Sequence, residues 1–110
     1  MAADTYQPRN PYIWHIDVKP EKREAFRKAF RDLSRFNKGL PAGCKFEAVY
    51  ETVIGRRSDE PPFQVWFLLP DLATFEAAAV TAAVRKFHDE LAEYLDPSFR
   101  PCNMIVKKLE

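Results

Sequence analysis

The order in which the hydrophobic period changes along the chain constrains the fold more than any single motif. From Tyr12 to Lys19 the period is two. Tyr12, Trp14, Ile16 and Val18 fall on one side and Ile13, His15, Asp17 and Lys19 on the other, as in a strand. Pro20 ends that strand and can open a helix. From Glu21 to about Lys38 the apolar residues Ala25, Phe26, Ala29, Phe30, Leu33 and Phe36 recur every three or four positions, which predicts an amphipathic helix stopped by Gly39 and Pro41. Cys44 to Ile54 returns to a period of two, with Phe46, Ala48, Tyr50, Thr52 and Ile54 expected on one face. The segment Gly55 to Pro62 is turn chemistry and charge. Phe63 to Leu69 is almost continuously apolar, as expected of a strand covered on both faces.

Asp71 then stands where a helix N-cap is needed. Leu72, Phe75, Ala79, Ala83, Phe87, Leu91 and Leu95 follow at helical spacing, with Thr81 placed to cap a fresh start after a break. Asp96-Pro97-Ser98 closes this helix, and Cys102 to Leu109 forms a last short strand. Strand, helix, strand, strand, helix, strand is the plan of a ferredoxin-like α+β domain. With right-handed crossovers it gives one antiparallel sheet in the order 4-1-3-2 and both helices on one face. Residues 1–11 form a polar tail and residues 12–110 a single domain.

That plan leaves one sheet face without helices, yet the third strand carries large apolar residues at both parities: Phe63, Val65, Phe67 and Leu69, or Trp66 and Leu68. A lone protomer would expose more apolar surface than soluble monomers tolerate, so a homodimer is expected. The chain has nine Phe, four Tyr and two Trp in 110 residues, enough aromatic surface for a core, an interface or an apolar cavity.

A net charge of +1 steers the chain toward neither nucleic acid nor an acidic membrane. RNA-recognition motifs share the element order but need a basic residue and a glycine at the start of the third strand, where this chain has Pro61-Pro62-Phe63. The longest apolar run, Val65 to Leu69, is far short of a membrane span. Met1 to Asn10 lacks the basic start and apolar stretch of a signal peptide, so a reducing, cytoplasmic setting is expected. Cys44 and Cys102 begin the two edge strands of the sheet. Three strand spacings hold them roughly 14 Å apart, twice the span of a disulfide, so no intrachain bridge is expected.

His15 is the sharpest candidate for chemistry, because an imidazole near neutrality can act as base, acid or ligand. It shares a strand face with Asp17, about 7 Å along the strand, and the two form the candidate catalytic pair. Against this, His15 can equally be a strand histidine satisfied by a neighbour. Trp14, Tyr50 and Trp66 are the candidate lining of a pocket for a small apolar or aromatic ligand, or else core. His88, beside Asp89 and Glu90, reads as a surface residue. Two histidines and scattered carboxylates give no metal spacing, and three glycines do not make a phosphate loop.

Two stretches carry a family resemblance. Val18-Lys19-Pro20-Glu21-Lys22-Arg23-Glu24-Ala25-Phe26 is similar to the strand end, turn and first helix of the dimeric α+β barrel superfamily, with Glu21 where that family usually has Gly. Leu69-Pro70-Asp71-Leu72-Ala73-Thr74-Phe75 resembles its second strand end and capped helix. The superfamily includes antibiotic-biosynthesis monooxygenases, haem-degrading monooxygenases, stress-responsive A/B barrel proteins and NIPSNAP-like proteins. The resemblance implies a dimer with a cavity between sheet and helices, and cofactor-free monooxygenase-like chemistry. Haem chemistry is not carried over. The degraders' catalytic Asn falls on Trp14, their cavity Trp on Leu69, and the region of their ligand His reads Ala79-Val80-Thr81-Ala82. No cofactor is therefore expected. The reading of a small-molecule enzyme or binder competes with that of a non-catalytic dimerising module whose cavity is filled.

Overall fold

The computed structural model describes residues 11–56, 60–97 and 102–106. The expected polar tail therefore lies outside the described residues except for Pro11, as do parts of the Gly55–Pro62 loop and the end of the last strand. Four strands form one antiparallel sheet: β1 (Tyr12–Ile16), β2 (Lys45–Glu51), β3 (Phe63–Leu68) and β4 (Cys102–Ile105), in the spatial order β2-β3-β1-β4. This is the expected 4-1-3-2 order read from the other edge. Cys44 and Cys102 thus start strands at opposite edges, and Cys44 is a free thiol.

The first helical segment is shorter than its period suggests. A 3-10 turn at Pro20–Lys22 leads into α1 (Arg23–Ala29), and a second 3-10 turn covers Ser34–Phe36. The periodic stripe is kept across the interruption, so Phe26, Phe30, Leu33 and Phe36 are all buried. After β3, Asp71 accepts the backbone N–H of Thr74 at 2.9 Å and starts a 3-10 turn that continues into α2 (Phe75–Ala79). The expected break then appears. Thr81 Oγ1 accepts the N–H of Val84 at 3.3 Å and donates to Ala78 O at 2.7 Å, opening α3 (Ala82–Ala92) at a corner with α2. Both bonds vanish in Thr81→Ala, which should lower stability to urea by about 1 kcal/mol, the usual worth of a cap.

Both helical layers cover the same sheet face. Trp14 and Ile16 of β1, Phe46 of β2 and Phe63, Val65 and Phe67 of β3 pack against Phe26, Phe30, Phe36, Val84, Phe87 and Leu91. Six phenylalanines in this layer are essentially inaccessible to water. Each removes an aromatic side chain from solvent for about 1.5–3 kcal/mol.

The face assignment expected for β2 is corrected. Phe46 pairs with Phe67 but Ala48, not Glu47, pairs with Trp66, so a bulge inserts one residue and reverses the parity beyond it. Phe46, Val49 and Glu51 therefore face the helices, while Ala48 and Tyr50 face away. Asn37 holds the strand at the bulge, its Oδ1 accepting the Phe46 N–H at 2.7 Å and its Nδ2 donating to Phe46 O at 3.3 Å. Just before it, Gly43 takes φ +84°, and a Cβ there would meet Pro70 at 3.0 Å, so the turn requires glycine.

Candidate functional site

The five residues expected to build a site lie on two faces of the sheet. Register places Trp14 opposite Val65 and on the helix side. His15 stands opposite Gln64 and Cys102, on the face without helices. Trp66 and Tyr50 share that face, with ring centroids 5.5 Å apart, edge to face. The Trp66 indole donates to Gln64 Oε1 at 3.1 Å, and the Tyr50 hydroxyl lies 3.3 Å from Glu47 Oε2. Partial burial, followed by the Glu47 charge, pushes the Tyr50 hydroxyl pKa up.

Asp17 stands just past the end of β1, where one carboxylate oxygen accepts the Val18 N–H at 2.8 Å and Arg23 Nη2 at 3.0 Å. Arg23 Nε also donates to Val18 O at 3.2 Å, while Lys19 N–H reaches Tyr94 O and Asp96 N–H reaches Asp17 O. Asp17 thereby ties the end of β1 to the start of α1 and the end of α3. No hydrogen bond joins it to His15 among the described residues. The His15 Nε2 is buried without a partner among the described residues.

On the helix side the chain forms a half-open pocket of ≈ 80 Å³. Tyr12 and Trp14 form its floor from β1 and Phe67 from β3. Phe75, Ala78 and Ala79 of α2 and Val84 and His88 of α3 close it. Trp14 is 3% exposed, and its indole N–H is likewise buried without a partner among the described residues. The imidazole of His88 lies flat on the Trp14 ring, with centroids 4.6 Å apart and planes 18° from parallel. Phe87 packs edge-on against the same indole at 5.1 Å. Burial lowers the His88 pKa below its ordinary 6.5, against a smaller upward pull from Asp89, so the ring is neutral at pH 7.

His88 is exposed, as its reading as a surface group expected, and it also lines the pocket. Of its acidic neighbours, Asp89 acts on it electrostatically and Glu90 accepts from Arg35. The legible signal was helical: Val84, Phe87 and His88 fall at spacings of three and four, so His88 sits at the edge of the buried stripe.

A wider groove of ≈ 290 Å³ runs under α1, between Phe26, Phe30 and Val49. It is crossed by the two parallel bonds of Arg27 to Glu51, both 2.9 Å. That pairing uses the polar groups of both residues on each other, and the Arg27 hydrogen bonds hold the Glu51 carboxyl below its usual pKa. The described residues contain no cluster of three or more His, Cys, Asp or Glu able to hold a metal, and no helix long and apolar enough to cross a membrane.

No family model matches the chain, and no curated protein matches it. Solved structures do. A protein of Caulobacter crescentus provisionally named an antibiotic biosynthesis monooxygenase superposes with a TM-score of 0.67 over 98% of this chain and 96% of its own, at 17% identity. A protein of Nitrosomonas europaea with the same provisional name gives 0.63 over 96% and 95%, at 20% identity. A dimeric protein of unknown function and ferredoxin-like fold from Bacteroides fragilis gives 0.62 over 94% and 100%, at 12% identity. Identities this low speak for architecture. The chain has the ferredoxin-like α+β fold that these proteins share.

Proposed function

We propose that the protein takes up a small planar aromatic molecule in the pocket between β1, α2 and α3, and that it works as a homodimer. The observation that carries the reading is the wall of this pocket, an indole face with Tyr12, Phe67, Phe75 and a neutral imidazole around it, and the Trp14 indole N–H is in addition buried without a partner among the described residues. A buried donor left without an acceptor costs about 1–3 kcal/mol. A planar ring could stack on the indole face, and an oxygen placed at the edge of the indole, in its plane, could accept the N–H. Ligand sites are commonly apolar pockets with one or two polar groups that fix orientation.

The names of the structural neighbours favour an oxygenase over a plain binder. A phenol and one O₂ giving a quinone and water balances without an external reductant: four electrons leave the ring, one oxygen atom enters it, and the other becomes water. Titration with phenol under isotope-edited NMR tests the binding step. The Trp14 indole N–H signal should shift saturably while that of Trp66 stays in place. No saturable shift up to the solubility limit of phenol rejects the pocket. Oxygen uptake on addition of hydroxylated single-ring compounds then separates enzyme from binder.

Dimerisation rests on the face without helices. Tyr50 and Met104 are 48% and 42% exposed there and Trp66 is half-buried, beside Ile13 and Leu68, which the single chain already buries. The Bacteroides fragilis neighbour is described as dimeric. One observation supports a second site at this face. The His15 Nε2 is buried there without a partner among the described residues, and a shift of the groups that cover it would let a second copy or a ligand held between two sheets supply one. In that reading His15 acts as base or ligand-binding group, with Trp66 and Tyr50 beside it, while Asp17 holds β1 in place through Arg23.

A further inference from the structure

The pocket against Trp14 is too small for the ring assigned to it. An apolar cavity of about 150 Å³ takes up one benzene ring, and this one measures ≈ 80 Å³. To hold the ring fully between its walls, something must move. Trp14, Phe67, Ala78 and Val84 are buried. Tyr12 and Phe75 are half-buried and hold each other edge to face at 5.1 Å. Ala79 is exposed but has no side-chain torsion to turn. His88 remains. It is exposed on its outer side, it has no hydrogen bond to any described residue, and it already lies parallel on the indole as a planar ligand would.

We propose that His88 is the gate of this pocket: a neutral planar ring binds by turning the imidazole outward into solvent and taking its place on the face of Trp14. The inference rests on the pocket reading above and adds the device that admits the ligand.

The gate responds to pH, and the direction follows from burial. Turned outward into water, the imidazole has its ordinary pKa near 6.5; lying on Trp14, its pKa is lower. Above 6.5 both positions are neutral and stacking wins. As pH falls below 6.5 the outward form takes up a proton first, so the open population grows. Few other charges intervene. Among the lining residues β1 contributes the Tyr12 hydroxyl, β3 and α2 contribute no ionisable side chain, and α3 itself places Asp89 next to the ring. Asp89 raises the His88 pKa but by less than burial lowers it.

A ligand that needs the open form binds more weakly by the fraction of molecules in that form. With about one molecule in ten open at pH 8, phenol should bind about tenfold tighter to His88→Ala than to the native protein. Phenol stays uncharged between pH 5 and 8, so its own titration does not enter. Binding to the native protein should strengthen as pH drops from 8 to 5, while His88→Ala stays flat. His88→Phe keeps a ring on Trp14 that cannot charge, and should bind weakly at every pH. The Trp14 indole signal reads all three proteins. Equal affinity in native protein and His88→Ala, or a native affinity independent of pH, overturns the gate while leaving the pocket intact. Failure of phenol to shift the Trp14 signal in any of them removes the pocket and the gate together.

Discussion

Phe87→Ala should lose about 3–5 kcal/mol of stability, the cost of truncating a fully buried Phe and leaving a cavity. Phe87 is inaccessible to solvent and sits at the centre of the aromatic layer. It stacks on Phe46 at 4.3 Å and 19°, and meets Phe36 at 4.9 Å, Trp14 at 5.1 Å and Phe30 at 5.6 Å, all edge to face. No neighbour can collapse into the gap without breaking its own ring contacts, so relaxation should recover little. A domain of this size has about 5–15 kcal/mol in total, and the loss is a large share of it. Urea denaturation checks the value. Lys86→Ala, one residue away on the exposed side of α3, should stay within about 0.5 kcal/mol of the native protein. A loss below about 1 kcal/mol in Phe87→Ala would mean that this layer is not close-packed.

Trp66→Glu should turn a dimer into a folded monomer. Trp66 lies on the sheet face without helices, between Ala48 on β2 and Ile13 on β1. When two such faces meet, a carboxylate at this position is taken from water with no cation opposite it. Among the described residues of that face the only cation is Lys45, at the far end of β2. An uncompensated buried charge costs several kcal/mol, more than enough to move a micromolar dimer to monomer. In the monomer the same carboxylate reaches solvent, so the fold should survive and the far-ultraviolet circular dichroism should stay native. Light scattering that shows the native protein already monomeric at micromolar concentration would remove the dimer. An unchanged dimer in Trp66→Glu would place the interface elsewhere.

Much of the architecture was written in local pattern. Alternation at Tyr12–Lys19 and the apolar run at Phe63–Leu69 gave two strands. Asp71 and Thr81 gave two caps that the structure uses as such, because a cap needs only a side-chain oxygen and an N–H three residues on. Strand order followed from element order, since right-handed crossovers and antiparallel pairing leave few arrangements of four strands. Helix length was less legible. The Phe26 to Phe36 stripe keeps its spacing although the helix itself stops at Ala29 and a 3-10 turn carries the rest, because packing on the sheet selects which residues face inward and tolerates the break.

The candidate site depended on choices that local pattern does not contain. A period of two divides β1 into two faces, but with Trp14 on one and Ile13 and His15 on the other, both faces carry large side chains and neither is marked as inner. Pairing with Val65, and the helices above it, decided that Trp14 lies inward and His15 outward. The bulge at Glu47 reversed the expected face of Tyr50, because one unpaired residue flips every side chain beyond it and leaves no mark in the hydrophobic pattern. His88 met Trp14 across 74 positions of chain only because α3 folds back over β1. Sequence alone determined the elements, their caps and their order, since those depend on neighbours a few residues apart. Only the tertiary structure decided which aromatic ring lines a pocket and which histidine covers it, since those contacts join residues far apart in the chain.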